Sequence, residues 1–499
     1  MSESGRLNLN VICILMDSMN RHFLPAYGND WVQTPNLDRI QKRAVTFDRF
    51  FTGSMPCMPA RRDLWSGNQE LLWRPWGSLE PWDATLPRAL KDKGVFTGLV
   101  SDHYHLWERG GENYHVDFET WEFIRGHEND PWVGGPTPEA DTGKGHVSPQ
   151  FRRNRQRFIN EKDWLAPQTL RTAAKWLKDN ATAHEQFFLM VDEFDPHEPF
   201  DCPEEYWRQY DPDWAGPKDF YWPAYGRNEY TEAEAHHIRA RYAGNITLAD
   251  KYLGEVLDRM DEDNLWENTA LIVMTDHGHF LGDHDWWGKP SCPQHREIAH
   301  IPLFIHVPGM GGGNRSNALG THVDIHATIL DLMGCPAPRD MDGKSLVPGL
   351  RGEESNPRES LLTGWWGWHV NWTDGRHFYM RAPATKDNQP LYFYTNRWAP
   401  PPWWNLPGPD DRTEFGRFMP RVDMPMCRQP IRTEEMPRAN NISLENLRKG
   451  SLLFDLLEDP DQQENLVGGS AEKDAESQLR ALMKRQTSPP EQFIRLGLE

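Results

Sequence analysis

The sequence predicts an α/β fold, a mostly parallel central sheet flanked by helices over residues 1–352, with a smaller C-terminal α+β domain over 353–499. Three observations carry this expectation. Short apolar runs alternate with helical periodicity through the first part, the pattern of successive βαβ units. Polar residues gather just after those runs, where a parallel sheet presents its ligand-binding groups. From about Glu353 the alternation stops, and short strand-like runs separated by turns take over.

Val11–Met16 is the first predicted strand, apolar throughout and closed by Asp17. Thr34 and Pro35 open a helix that puts Leu37, Ile40 and Ala44 on one face. Val95–Val100 follows a helix ended by Gly94, and Phe187–Val191 follows a helix with Leu170, Ala173, Ala174 and Leu177 at helical spacing. A longer helix turns Ile246, Ala249, Leu253, Val256, Leu257 and Met260 inward. Ala270–Met274 and Ile301–Val307 are further strands, and Val323–Met333 is a closing helix with Gly334 behind it. In the second domain Leu361–Trp368, Phe378–Arg381 and Ser451–Leu456 read as short strands. Residues 387–440, dense in Pro, Trp and charged residues and containing Trp398–Trp404, read as a long structureless insertion, either functional or an oligomer contact.

The 499 residues carry 54 Lys+Arg against 74 Asp+Glu, a net charge of −20. That field argues against nucleic acid and anionic membranes as partners, and leaves an anionic substrate only to a locally positive pocket. The 23 Trp, 22 Phe and 13 Tyr argue against disorder. No apolar run approaches the ~18 residues of a membrane span. Residues Met1–Asn10 lack the pattern of a secretory signal, so a soluble, cytoplasmic protein is expected. Six cysteines (Cys13, Cys57, Cys202, Cys292, Cys335, Cys427) without a CxxC pair suit neither a disulfide framework nor a zinc site.

Four predicted strand ends carry polar groups: Asp17, Asp102-His103-Tyr104-His105, Asp195-Pro196-His197, and Asp276-His277-Gly278. Any one of them suits a turn or a cap; their coincidence along one sheet edge points to a pocket of carboxylates and imidazoles. Asp17, Asp276 and His277 offer two hard oxygens and one nitrogen, a set for Ca²⁺, Mg²⁺ or Mn²⁺ if oxygen dominates and for Zn²⁺ or Fe²⁺ if nitrogen does. The sharpest segment is Cys57-Met58-Pro59-Ala60-Arg61-Arg62-Asp63-Leu64-Trp65-Ser66-Gly67. Pro59 can start a helix, which sets Cys57 at an N-terminus that favours an anion, with Arg61 one turn on and pointing back. A thiolate there would be activated, so a cysteine nucleophile is the first reading, although it lacks a Cys-His-Asn arrangement and leaves the metal ligands idle.

These residues resemble the formylglycine-dependent (type I) sulfatases of the alkaline phosphatase superfamily. The signature Cys-x-Pro-Ser/Ala-Arg with a Leu-x-x-Gly-like end is matched by Cys57, Pro59, Ala60, Arg61, Leu64 and Gly67. The resemblance runs over most of the chain. Thr34-Pro35-Asn36-Leu37-Asp38, Asp276-His277-Gly278 with Gly288-Lys289, Asp324 to Gly343, and Leu453-Phe454-Asp455-Leu456 with Asp459-Pro460 look like family segments in the family's order.

The resemblance implies an arylsulfatase-like sulfuric ester hydrolase in which a separate maturation enzyme converts Cys57 to formylglycine (3-oxoalanine). One divalent ion, Ca²⁺ in a sulfatase, would be held by Asp17, residue 57, Asp276 and His277. Arg61 and Lys289 would stabilise developing charge, His105 would be the base, and His197 with Lys289 would bind sulfate and assist the leaving group. His103 stands where the family usually has Lys and would be a further sulfate contact. The substrate would be a small-molecule or carbohydrate sulfate ester, and a homo-oligomer is compatible with this reading.

Two positions depart from the family pattern: Ser18 replaces a second Asp and His277 replaces Asn, which admits Mn²⁺, Zn²⁺ or Fe²⁺. Phosphonate monoester hydrolases look like this in their Asp-His pair, so phosphonate monoester or phosphodiester hydrolysis is the alternative. An anion-binding relative without activity would need no Cys-x-Pro-x-Arg signal, and a two-zinc phosphatase would use Ser or Thr at the nucleophile. The aromatic inserts Trp121–Trp132 and Trp398–Trp404 fit stacking on a sugar or aryl ring as well as packing of insert against core.

Overall fold

The computed structural model describes residues 8–289, 293–352, 357–437 and 441–499. Cys292 and the expected domain start at 353 lie outside the described residues. The first part contains, in chain order, β1 (Asn10–Met16), β2 (Val45–Phe50), β3 (Ser54–Met55), β4 (Phe96–Ser101), β5 (Thr120–Phe123) and β6 (Phe187–Glu193). It continues with β7 (Gly226–Arg227), β8 (Thr269–Met274), β9 (Phe280–Leu281), β10 (Trp286–Gly288), β11 (Leu303–His306) and β12 (Arg315–Gly320). Eight of these make one sheet in the order β12-β2-β11-β8-β1-β6-β4-β5. Its neighbours are parallel except at β11, which runs antiparallel to β2 and β8. The chain thus adopts the expected mainly parallel α/β class.

Strand β1 shows why both faces must be covered: every residue in it is buried. Alternate side chains point to opposite faces, so Ile12, Ile14 and Met16 enter one core while Val11, Cys13 and Leu15 enter the other. The first core is closed by the helices Leu165–Asn180 and Glu232–Glu262, which supply Leu170, Ala173, Leu177, Ile246, Leu253 and Val256. The second is closed by Cys57–Ser66 and His322–Leu332, through Met58, Leu64, Ile325 and Ile329.

The second part contains β13 (Leu361–Trp365), β14 (Val370–Thr373), β15 (His377–Arg381), β16 (Tyr392–Thr395), β17 (Glu414–Gly416), β18 (Met426–Pro430) and β19 (Leu452–Asp455). Its five-stranded sheet has the order β19-β15-β14-β13-β3, so its edge strand is drawn from the segment just ahead of Cys57. The helix Ser470–Arg485 packs Leu479, Leu482 and Met483 against Trp372 and Leu453. Residues 387–440 are not the structureless insertion expected. Strands β16, β18 and β17 form an antiparallel sheet there, and Phe393 and Trp404 seat it against Trp366. Prolines at the strand margins hide this pairing in the sequence, whereas Tyr392-Phe393-Tyr394 supplies the aromatic cross-strand contacts that stabilise it. Among the described residues no helix is long and apolar enough to cross a membrane.

Candidate active site

Adjacent parallel strands deliver their carboxyl ends to one edge, and this brings Asp17, directly after β1, beside Asp276, two residues after β8. The helix Cys57–Ser66 opens toward the same point. Ligand-type atoms of Asp17, Cys57, Asp276 and His277 lie within 4.8 Å of one another, all buried. Cys57 Sγ is 3.3 Å from His277 Nε2. His277 Nδ1 donates to the Gly278 carbonyl at 2.9 Å, which fixes the tautomer and leaves the Nε2 lone pair facing the cluster. Gly278 is required here, because a Cβ would sit 1.9 Å from the Glu297 carbonyl oxygen. Ser18, in a left-handed conformation at φ +61°, donates its N–H to Asp276 Oδ1 at 3.0 Å and its hydroxyl to Asp17 Oδ1 at 2.7 Å.

Arg61 is fully buried and its guanidinium is committed to carboxylates. It binds Asp192 in bidentate fashion at 2.8 and 2.6 Å, Asp276 Oδ2 at 2.9 Å and Asp17 Oδ2 at 3.0 Å, and also donates to the Cys57 carbonyl at 3.1 Å. Lys289 Nζ donates to Ser18 Oγ at 2.9 Å and pairs with Glu198 at 3.4 Å. Four buried carboxylates (Asp17, Asp192, Asp276, Glu198) therefore meet two cations (Arg61, Lys289), so that with every carboxylate ionised the cluster carries an excess of two negative charges away from water, a state that burial opposes at Asp17 and Asp192. Asp17 Oδ2, although in the Arg61 ion pair, accepts no well-aligned hydrogen bond. An excess of this sign, with an imidazole lone pair aimed into it, fits a divalent cation on Asp17, Asp276, His277 and residue 57.

The acid–base state of the cluster follows from burial first. Burial, reinforced by Asp276, pushes the Asp17 carboxyl well above the ordinary range. Burial acts on Asp276 too, but His277 and Arg61 outweigh it and hold that carboxyl well below the ordinary range. Burial lowers His277 to about 4, which keeps the imidazole neutral and able to coordinate. Burial and then Asp17 push the Cys57 thiol well up, the opposite of an activated cysteine.

A cavity of about 270 Å³ opens above this cluster, lined by Cys57, His105, His197 and Lys289 on its polar side. Trp76, Trp222, Trp365 and Trp403 with Tyr104 and Tyr225 form its aromatic walls. Trp76 and Trp403 meet edge to face, with ring centroids 5.3 Å apart and planes at 88°. Trp403 comes from the 387–440 segment and Trp365 from the end of β13, so the second part contributes directly to the cavity. The two aromatic inserts separate here: Trp398 and Trp404 pack on Phe393, and Trp121 packs on Trp107 and His115.

Of the site residues singled out in the sequence, Cys57, His105, His197 and Lys289 line the cavity, and Asp17, Asp276 and His277 lie beneath it with Arg61 and His103. Arg61 and His103 are fully buried; His103 packs on the Phe194 ring at 4.2 Å, with Nε2 3.5 Å from Asp17 Oδ2. Three residues that sequence reasoning passed over belong to the site. Asp192 grips Arg61 and, with Glu193, ends an otherwise apolar strand, a visible signal. Glu198 holds Lys289 and follows His197 directly. Glu128 reaches the cavity from the turn after β5 and gives no signal in the sequence.

A mainly parallel sheet that gathers this donor set at its strand ends, opposite a cysteine that opens a buried helix, places the site where α/β sheets bind their ligands. Sequence comparison is narrower. The sulfatase family profile matches residues 9–335, and the profile of the N-sulphoglucosamine sulphohydrolase C-terminal region matches residues 282–399. The chain belongs to the sulfatase family. It is 26% identical over 369 residues to arylsulfatase K of Rattus norvegicus, a match covering 68% of this chain and 62% of that protein's length. The solved structure of BT4656 with its substrate D-glucosamine-2-N,6-O-disulfate superposes with a TM-score of 0.67 at 15% identity, covering 97% of this chain and 99% of that one. The phosphonate monoester hydrolase of Agrobacterium radiobacter gives 0.65 at 18% identity, covering 96% and 95%.

Proposed function

We propose that this protein hydrolyses sulfate monoesters of small or carbohydrate alcohols. The observation that carries the proposal is the convergence of Cys57, opening the Cys-x-Pro-x-Arg helix, with the Asp17, Asp276 and His277 donor set and with Lys289, His197 and His105 on the cavity wall. The name of the arylsulfatase K relative and the sulfated substrate of BT4656 support the same reading. Residues 1–352 would carry the chemistry, with 353–499 completing the cavity through Trp365 and Trp403.

Conversion of Cys57 to formylglycine by a maturation enzyme would provide a hydrated aldehyde as nucleophile, and a divalent ion, Ca²⁺ or else Mn²⁺, Zn²⁺ or Fe²⁺, would act as a Lewis acid toward the ester. The chain's own residues do the rest. Arg61 fixes Asp17, Asp192 and Asp276 in one rigid array, so that the ligand oxygens need no reorganisation. Lys289, kept protonated by Glu198 against the effect of burial, places a positive charge on the oxygens of the transferring group. His197 donates Nδ1–H to the Glu198 carbonyl at 2.6 Å, which leaves Nε2 a lone pair that can accept from the substrate, while Lys289, held protonated, supplies the proton-bearing group that assists the departing alcohol. His105 takes up a proton as the aldehyde is restored. The tryptophan walls exclude water from these steps.

Removing the Lys289 charge tests its role: Lys289→Ala is expected to lower kcat/KM by about 30- to 900-fold, the 2–4 kcal/mol typical of an electrostatic donor to developing charge. The measurement is steady-state hydrolysis of 4-nitrophenyl sulfate by the metal-loaded, converted enzyme. The reaction class is tested by comparing kcat/KM for 4-nitrophenyl sulfate, sulfated monosaccharides and a phenyl phosphonate ester, with sulfate esters expected to lead. The His277 imidazole beside Asp276 favours phosphonate monoester or phosphodiester hydrolysis as the second reading, and a phosphonate advantage over every sulfate would install it.

A further inference from the structure

Glu128 occupies a position that nothing in the reaction outlined above has used. Its carboxylate lies between the two cavity histidines, with Oε2 3.4 Å from His105 Nε2 and Oε1 3.6 Å from His197 Nδ1. These are ion-pair separations, too long for hydrogen bonds. Its backbone is left-handed at φ +41°, a costly conformation for a residue with a Cβ, and the residue is only 8% exposed. A strained, buried, charged residue persists only where its surroundings impose it.

The surroundings do so. Asn154, buried in the helix Pro149–Arg155, spends its side chain on the turn: Nδ2 donates to the Gly126 and Asp130 carbonyls at 3.1 and 2.8 Å, and Oδ1 accepts from Val133 N at 3.1 Å. Asp130 accepts a bidentate pair from Arg125, the shortest contact at 2.6 Å, and Gly126 N–H at 2.7 Å. His127, next to Glu128, faces Asp195 at 3.7 Å. The turn is fastened on both sides of Glu128, and its only product inside the cavity is that carboxylate with the neighbouring Asn129.

We propose that Glu128 is a positioning residue, resting on the sulfatase reading, that orients His105 and His197 together and sets which of their nitrogens carry protons. His105 meets Glu108 at Nδ1 and Glu128 at Nε2, so both ring nitrogens face a carboxylate, which raises its pKa despite burial and strengthens it as a base. His197 meets the Glu198 carbonyl and carboxylate and Glu128 at Nδ1, but burial first, then Lys289 and His127, hold it well below the ordinary imidazole range. The other charged or titratable neighbours include Tyr104 and His146, which both feel the Glu128 charge, Tyr225 on the cavity wall, and His103, whose ring centroid is 5.2 Å from that of His105. One carboxylate shared by two imidazoles couples them: it stabilises a proton on either, and holds both rings against rotation.

Glu128→Gln keeps the shape and removes the charge. Loss of an opposite charge at this separation is expected to lower the His105 pKa by about one unit, with a smaller fall at His197. The readout is a ¹³C-histidine NMR titration of the unconverted Cys57 protein, with resonances assigned through His105→Gln and His197→Gln; it needs neither substrate nor formylglycine. In the converted enzyme the kcat–pH profile for 4-nitrophenyl sulfate is expected to move to lower pH, while KM changes little. Glu128→Gly, which relieves the left-handed strain and removes the carboxylate together, is expected to retain the melting temperature and reproduce the same shift. An unmoved His105 titration in a folded Glu128→Gln protein would overturn the proposal. So would a fall in kcat with the pH profile fixed, which is what a structural role alone gives. Failure of the sulfatase reading would leave the NMR shift in place and abolish only the turnover, so the two are told apart.

Discussion

Cys57→Ala is expected to remove esterase activity altogether while leaving the fold intact. On the proposed reading residue 57 carries the nucleophilic aldehyde, and loss of a nucleophile in a concerted site costs at least about 10³-fold. The structural cost is small by comparison. Residue 57 is the first of its helix and sits on the covered side of the sheet, so deleting one sulfur leaves a void of a single atom, worth about 1 kcal/mol. The melting temperature is therefore expected to fall by no more than a few degrees while turnover falls to background. The companion measurement is mass spectrometry of the peptide that holds residue 57, which distinguishes an aldehyde from a thiol, with activity in different preparations tracking the aldehyde fraction. Full turnover by a preparation whose Cys57 is wholly unmodified would show that the thiol itself serves. Burial and Asp17 speak against that outcome, since both keep the thiol protonated.

Much of this site is legible in the sequence, and the parts that are not share a physical cause. The apolar runs of β1 and β8 end in Asp17 and Asp276, and a parallel sheet aligns such ends, so the donor set can be read from two short segments. The helix from Cys57 is likewise a local signal. Strand direction is not local: hydropathy marks β11 as a strand but does not reveal that it runs antiparallel to β8. The partners of Arg61 lie up to 215 residues away in the chain, so the sequence shows an arginine near a cysteine but not the three carboxylates that immobilise it. Glu128 is the extreme case. Its left-handed turn exists because Asn154 holds it from a distant helix and Asp130 closes it onto Gly126, and Glu128 itself does not announce the conformation. The strands in 387–440 are hidden differently, by proline density that argues for loop while the aromatic run Tyr392-Phe393-Tyr394 between the prolines argues for sheet.

Asp17→Asn and Asp276→Asn are each expected to abolish metal binding and activity together, and the stability of the two metal-free variants is expected to move in opposite directions. Each change removes one of two oxygen ligands from a set of four, so affinity for a divalent ion should fall by more than the 10- to 100-fold typical of losing an outer partner. Metal per chain, measured on dialysed protein, should drop from about one toward zero. The opposite stability effects come from the acid–base state of the pair. The Asp17 carboxyl is raised in the folded protein, so its ionised form is disfavoured there, and the stability its protonated form gives at low pH is lost as pH rises through the folded pKa. At pH 7 without metal, Asp17→Asn relieves that penalty and should raise the melting temperature by about 2 °C. Asp276 is the reverse: its carboxyl is held low by His277 and Arg61, so its ionised form stabilises the fold above the unfolded pKa, and Asp276→Asn should lower the melting temperature. Saturating metal is expected to reverse the first ranking, because wild type gains binding free energy that Asp17→Asn cannot. A metal-free Asp17→Asn protein that melts below metal-free wild type at pH 7, or one that retains a full equivalent of metal, would show that Asp17 serves Arg61 alone and is no ligand.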